Sequence, residues 1–224
     1  MHRRDSLAVA GAALAAALLP PSPVLGQPVQ RPAARPAPAA LTEADRAAIA
    51  RAEATLAGVR TLKARFLQAD ARGGTAQGTV WMQRPGRARF AYDPPSTILV
   101  VSDGTIVTFF DRAVNQQSAL PLGATPLGTL LAERVQLDGG EGRVTAVVRG
   151  EGLLRITVVK RSSPAEGSLT LTFADTPLEL RQWTVVDAQG REVRVTLFEI
   201  ETGVRIDQAL FRFVAPDFGV PQPR

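Results

Sequence analysis

Apolar and polar residues alternate at a period of two through much of this chain, and turn-forming pairs interrupt the alternation at short intervals. Leu62, Ala64 and Phe66 oppose Thr61, Lys63 and Arg65, and Val80 and Met82 lie between Thr79, Trp81 and Gln83. A period of two is that of a strand with one face buried. Turn signals stand at Gly73-Gly74, Pro85-Gly86, Pro94-Pro95, Asp103-Gly104, Gly139-Gly140, Gly150-Glu151-Gly152 and Gln189-Gly190. Such punctuation between β-branched runs predicts one antiparallel meander of about ten strands.

Helical spacing is confined to short stretches. Thr42, with Asp45 in the capping position, opens a segment in which Ile49, Ala52, Leu56 and Val59 recur on one face, which predicts an amphipathic helix ending near Gly58 to Arg60. Thr125 followed by Pro126 opens a second, short helix carrying Leu127, Leu130 and Leu131. A weaker helical turn is expected over Ile206 to Leu210. The fold class is therefore mainly β with a few helices.

Ahead of the first helix the composition changes. His2, Arg3 and Arg4 precede an apolar run from Leu7 to Leu19, then Pro20, Pro21 and the small-residue stretch Val24-Leu25-Gly26. This is the plan of a secretory signal peptide, and the run is shorter than the roughly 20 residues that span a bilayer. No Cys follows it, so the expected product is a soluble periplasmic protein starting near Gln27, after cleavage of residues 1–26. The general secretory route is preferred to the twin-arginine one, because the residues after Arg3-Arg4 do not continue that pattern. Residues 27–40 mix Pro, Ala, Gln and Arg without a periodic face and are expected to be a disordered leader. Residues 41–220 are expected to form one domain.

Charge and residue absences narrow the chemistry. The formal charge of +5 falls to +4 once Arg3, Arg4 and Asp5 leave with the signal, and no basic tract accompanies it. Lys63 and Lys160 are the only lysines, so the high pI reflects arginine usage, and no nucleic-acid partner is expected. With no Cys in an oxidising compartment, stability rests on a core and not on disulfides. The single His, His2, also leaves with the signal. That removes the commonest nucleophile–base pairs and the imidazole and thiolate metal sites. Asp93, Asp103, Asp111, Asp175 and Asp187 all fall in or beside turns, where Asp is favoured for backbone reasons. No catalytic residue, metal or cofactor is assigned.

What is left is an apolar surplus on one sheet with little helix to cover it. Val80, Met82, Phe90, Tyr92, Val100, Val107, Phe109, Leu171 and Phe173 are expected on one face, together with Leu169, Val193, Val195 and Leu197. Arg87 and Arg89 take the opposite, solvent parity. Periodicity alone does not distinguish a barrel filled by its own side chains from one enclosing a cavity.

Three groups of residues resemble the LolA family. They are Ala64-Arg65-Phe66-Leu67-Gln68, the run Gly78 to Tyr92 containing Arg84-Pro85-Gly86 and followed by Pro94-Pro95, and Val101-Ser102-Asp103-Gly104. Further agreement lies in Pro126-Leu127 with Leu130-Leu131, in Trp183 to Asp187 with Gly190, and in Phe211-Arg212-Phe213 with Pro216. The likeness spans residues 42 to 218. It implies an unclosed antiparallel β-barrel capped by a helical lid, and a monomeric periplasmic chaperone of acylated lipoproteins. Such a protein receives cargo from an inner-membrane lipoprotein-releasing ABC transporter and passes it to an outer-membrane acceptor where one is present. On that likeness the apolar sheet face becomes the lipid-binding cavity, and Leu127, Leu130 and Leu131 become the lid. Arg84, by itself a solvated charge at a strand end, matches the arginine that latches that lid. Ala88 departs from the family, which carries a bulky apolar residue there. Other members of the fold family bind different lipids or sense lipoproteins, and that is the alternative reading.

Overall fold

The computed structural model describes residues 40–214. The expected signal peptide, the leader up to residue 39 and the domain end beyond residue 214, including Pro216, lie outside the described residues.

The chain opens with helix α1, Glu43–Gly58. Its start is set by a reciprocal pair: the Asp45 amide donates to the Thr42 hydroxyl at 3.1 Å, and the Thr42 amide donates to the Asp45 carboxylate at 2.9 Å. Two of the N–H groups a helix start leaves unpaired are thereby satisfied, and the Thr42 hydroxyl holds the Asp45 carboxyl below the usual carboxylate range. Ala48, Ile49, Ala52 and Leu56 form the buried face. Of the residues expected there, Val59 instead caps the C-terminus in an extended conformation.

Eleven strands follow: β1 (Thr61–Asp70), β2 (Thr75–Gln83), β3 (Arg87–Tyr92), β4 (Ile98–Asp103), β5 (Ile106–Asp111), β6 (Gln116–Pro121), β7 (Gly142–Gly150), β8 (Leu153–Lys160), β9 (Gly167–Asp175), β10 (Leu178–Asp187) and β11 (Glu192–Thr202). They make one antiparallel sheet in the order β6-β5-β4-β3-β2-β1-β11-β10-β9-β8-β7. Every neighbouring pair is a hairpin except β1 with β11, which joins two meanders at the centre through Phe66 opposite Leu197. The sheet is not closed. Its two edges, β6 and β7, are consecutive in the chain, and the connection between them carries helix α2, Pro126–Leu131.

Register fixes which side chains share a face. Val80 stands opposite Phe90, Phe90 opposite Val100, and Val100 opposite Phe109. In the other meander Ile156, Leu171, Trp183 and Val195 are consecutive opposites. This is the inner face, and helices α1 and α2 contribute their apolar residues to the same core. The outer face is covered in part as well. A short 3-10 turn, Gln208–Phe211, contacts β3 and β4 there, and Phe213 meets Phe110 edge-on at 5.5 Å. Arg89, expected to face solvent, lies beneath this segment and donates to the Leu210 carbonyl at 3.1 Å. Its parity is as expected, but parity says nothing of what a later stretch of chain lays over that side.

Candidate functional site

The inner face is filled by its own side chains. Phe66 packs edge-on against Phe90 at 5.5 Å and Tyr92 at 5.0 Å, and Phe90 meets Trp183 at 6.2 Å. The last contact joins β3 to β10, which lie four places apart in the sheet, so the sheet curls until its two arms touch. Gly78 makes this packing possible: a Cβ there would lie 2.8 Å from the Phe66 ring and 2.2 Å from the Ala91 carbonyl oxygen. The tyrosine hydroxyl, enclosed among these rings, donates to Gln68 Oε1 at 2.7 Å. Burial pushes its pKa from 10.0 up to about 12.

Of the residues expected on this face, Val80, Phe90, Val100, Val107, Leu171 and Phe173 are buried in the core, and Met82 and Tyr92 pack against it half-buried. Phe109 shares the face through Val100 but remains 37% exposed, whereas its neighbour Phe110, on the outer side, is 3% exposed. β5 lies next to the edge strand β6, all six of whose residues are exposed, so little reaches over Phe109 from within. Ile98 and Leu120 on the same inner side of this arm are exposed too. Ala88 is fully buried opposite Met82 and Ser102.

Arg84 closes the site. Helix α1 has no basic residue in its last turn, and α2 has only six residues, so the carbonyls at both C-terminal ends need outside donors. The Arg84 guanidinium supplies them: Nε and one terminal nitrogen donate to the Leu130 carbonyl at 3.1 and 2.6 Å. Its other terminal nitrogen donates to the carbonyls of Leu56 and Val59. Planar geometry and five donors allow one side chain to serve both helices. Burial pushes its pKa below the ordinary guanidinium range, and the Arg60 charge acts in the same direction.

The next turn reinforces the junction. The Gly86 amide donates to the Leu131 carbonyl at 2.9 Å. Gly86 adopts a left-handed φ of 77°, and its missing Cβ leaves room for Gly104, which would lie 2.7 Å away. The buried Ser102 hydroxyl donates to the Gly86 carbonyl at 2.6 Å. On α2 itself Leu130 and Leu131 are buried, and Leu127 packs against the core half-buried.

Sequence reasoning assigns no core residue to β7, β8 or the stretch around α2, where Leu122, Val144, Leu154, Ile156 and Val158 are buried, as are Val135 and Leu137 in the irregular stretch after α2. A non-periodic segment gives no signal of which side chains turn inward. Here the fastening is distant: the Glu53 carboxylate on α1 accepts from the Leu137 amide at 2.6 Å and the Asp138 amide at 3.4 Å.

Two spaces border this assembly. A hollow of about 40 Å³ lies among Leu56, Leu62, Met82, Arg84 and Leu130. A far larger cleft, of about 740 Å³, opens between the Leu122–Thr129 segment and the ends of β8, β9 and β10. Among the described residues no group of His, Cys, Asp and Glu could hold a metal ion, and no helix is long and apolar enough to cross a membrane.

The sequence is similar to those of known proteins. A family model described as "Outer membrane lipoprotein carrier protein LolA" matches residues 57–214. An outer-membrane lipoprotein carrier protein of Methylibium petroleiphilum is 32% identical over 80% of this chain and 92% of its own length. One from Methylococcus capsulatus is 30% identical over 74% of this chain and 83% of its own. A solved LolA superfamily protein from Nitrosomonas europaea aligns with 74% of this chain and 97% of its own at a TM-score of 0.44 and 7% identity. The chain belongs to the LolA family of outer membrane lipoprotein carrier proteins.

Proposed function

We propose that this protein is a periplasmic chaperone that takes up the acyl chains of lipoproteins at its inner sheet face and carries them from the inner to the outer membrane. Val80, Met82, Phe90, Tyr92, Val100, Val107, Phe109, Leu171 and Phe173 form the acyl-binding face. Leu127, Leu130 and Leu131 form the lid, and Arg84 is its latch. Its partners are a lipoprotein-releasing transporter in the inner membrane and an acceptor at the outer membrane. No catalytic step or cofactor is involved.

The observation that carries this reading is the single guanidinium spanning the C-terminal ends of two helices over an apolar face. A hydrogen bond to a charged group contributes about 1.5–3 kcal/mol, whereas burying an acyl chain is worth about 0.8 kcal/mol per CH₂. Several chains therefore outweigh the latch, and the tendency of the latch to re-form offsets part of the cargo affinity. Uptake and release both become possible. Mass spectrometry of species that co-purify with the protein from its native periplasm tests the proposal. Bound triacylated lipoproteins are expected, and free lipids alone would favour the lipid-binding or lipoprotein-sensing alternative.

A further inference from the structure

The interior and the large cleft differ in a way that bears on how loading starts. In this closed form the inner face is packed by Phe66, Phe90 and Trp183, and the hollow at Arg84 measures about 40 Å³. Neither has room for an alkyl chain. The cleft at the ends of β8–β10, by contrast, is about 740 Å³ with the latch shut, within the roughly 300–1,000 Å³ of small-molecule sites.

Leu122, Val158, Leu169 and Val185 give the cleft an apolar floor. Charges of both signs line it, Arg134 and Lys160 with Glu141, Glu166 and Asp187, and Asp187 is already paired with Arg191 outside the cleft. A mixed rim of this kind suits an uncharged glyceryl or amide head better than an anionic or cationic one. The floor is continuous with the core: Val158 stands opposite Leu169, Leu169 opposite Val185, and all three pack in the same apolar cluster as Phe90.

We propose that this cleft is a preformed entry site that accepts one acyl chain, with an uncharged head, while Arg84 still holds both helices. The inference rests on the carrier reading and adds an order of events to it. One chain enters the cleft first, and its advance along the Val158–Leu169–Val185 floor then separates the lid from the sheet. The remaining chains follow after the latch has opened.

Gly123 provides the test. It lies on the cleft wall and is exposed, and a Cβ built there meets nothing within 4 Å. Gly123→Trp fills the cleft and Gly123→Ala barely alters it. Ser163→Trp obstructs from the opposite wall and serves if the first variant folds poorly. Binding of a fluorescent, singly palmitoylated neutral peptide is measured for wild type, these variants and Arg84→Leu, beside a triacylated peptide. At least a tenfold loss of single-chain affinity is expected in the tryptophan variants, with wild-type affinity in Gly123→Ala. Wild-type single-chain affinity in both folded tryptophan variants overturns the entry site alone. If neither peptide binds wild type or Arg84→Leu, the carrier reading falls and the entry site with it.

Discussion

The Arg84 guanidinium meets the Leu130 carbonyl with two of its nitrogens, at 3.1 and 2.6 Å, while a third nitrogen faces the end of α1. One side chain, in the turn just after β2, thus ties the sheet to two helices. On the carrier reading proposed above, its replacement should separate the holding of cargo from its release. Arg84→Leu removes every donor and extends the apolar face, so it should load lipoprotein at least as well as wild type and deliver it several-fold less to acceptor membranes. Arg84→Lys keeps the charge but loses the planar fork, and should fall between the two. A two-step transfer assay, scoring uptake and then delivery, reads both effects. Wild-type delivery by a folded Arg84→Leu would return this residue to an ordinary strand-end charge.

Cross-linking from the two faces of β3 should be sharply unequal. Phe90 lies inside against Phe66 and Trp183, whereas Arg89 lies outside against Leu210. A photo-reactive residue at position 90 or 100 should capture acyl cargo, and one at position 89 should instead label the protein's own 208–211 turn. Capture from position 89 alone would mean that cargo rides the outer face.

Gly78→Ala should destabilise the protein markedly. The added methyl would lie 2.2 Å from the Ala91 carbonyl oxygen and 2.8 Å from the Phe66 ring, so backbone as well as an aromatic ring must move. Overpacking typically costs about 1–3 kcal/mol, and the backbone contact points to the upper end. Denaturant unfolding measures it. A change below about 0.5 kcal/mol would indicate that β2 and β3 separate freely at this point.

Alkaline pH should loosen the aromatic cluster through Tyr92. Its hydroxyl has a pKa of about 12 when folded against 10.0 when exposed. The unfolded chain therefore loses its proton first. Stability from this group is complete below pH 10.0 and declines until about pH 12, by roughly 2–3 kcal/mol in all. Tyr92→Phe should flatten that decline at the cost of its bond to Gln68, about 1 kcal/mol at neutral pH. Comparing unfolding free energies of the two proteins between pH 8 and pH 12 decides it.

Local rules account for much of this architecture. The Thr42–Asp45 box, the Thr125-Pro126 start of α2 and the parity of Val80, Phe90 and Val100 all follow from short-range chemistry, and each stands where that chemistry puts it. Arg84 is different, because nothing within its own strand distinguishes it from a solvated charge. Family likeness singled it out, and its partners lie 25 to 46 residues away. Periodicity also left open whether the face was filled or hollow, since that depends on how far the sheet curls. The Phe90–Trp183 contact answers it for the closed form. Coverage from distant chain was illegible for the same reason: the 208–213 segment over Arg89 and Phe110, and the inward turn of Val135 and Leu137, are set by tertiary packing and leave no local pattern.

The two rims of the sheet, β6 and β7, are successive in the chain. A closed barrel has a bore fixed by its strand number and shear. This sheet can change girth by unrolling, with every ladder hydrogen bond kept. The stretch from Leu122 to Glu141 is then a drawstring threaded from one rim to the other, with α2 knotted into it. Unrolling tightens the string and pulls on α2, and displacing α2 slackens the restraint on girth. Bore and the position of α2 are thus mechanically one variable, and what has to yield as the bore widens is the Phe90–Trp183 contact across it.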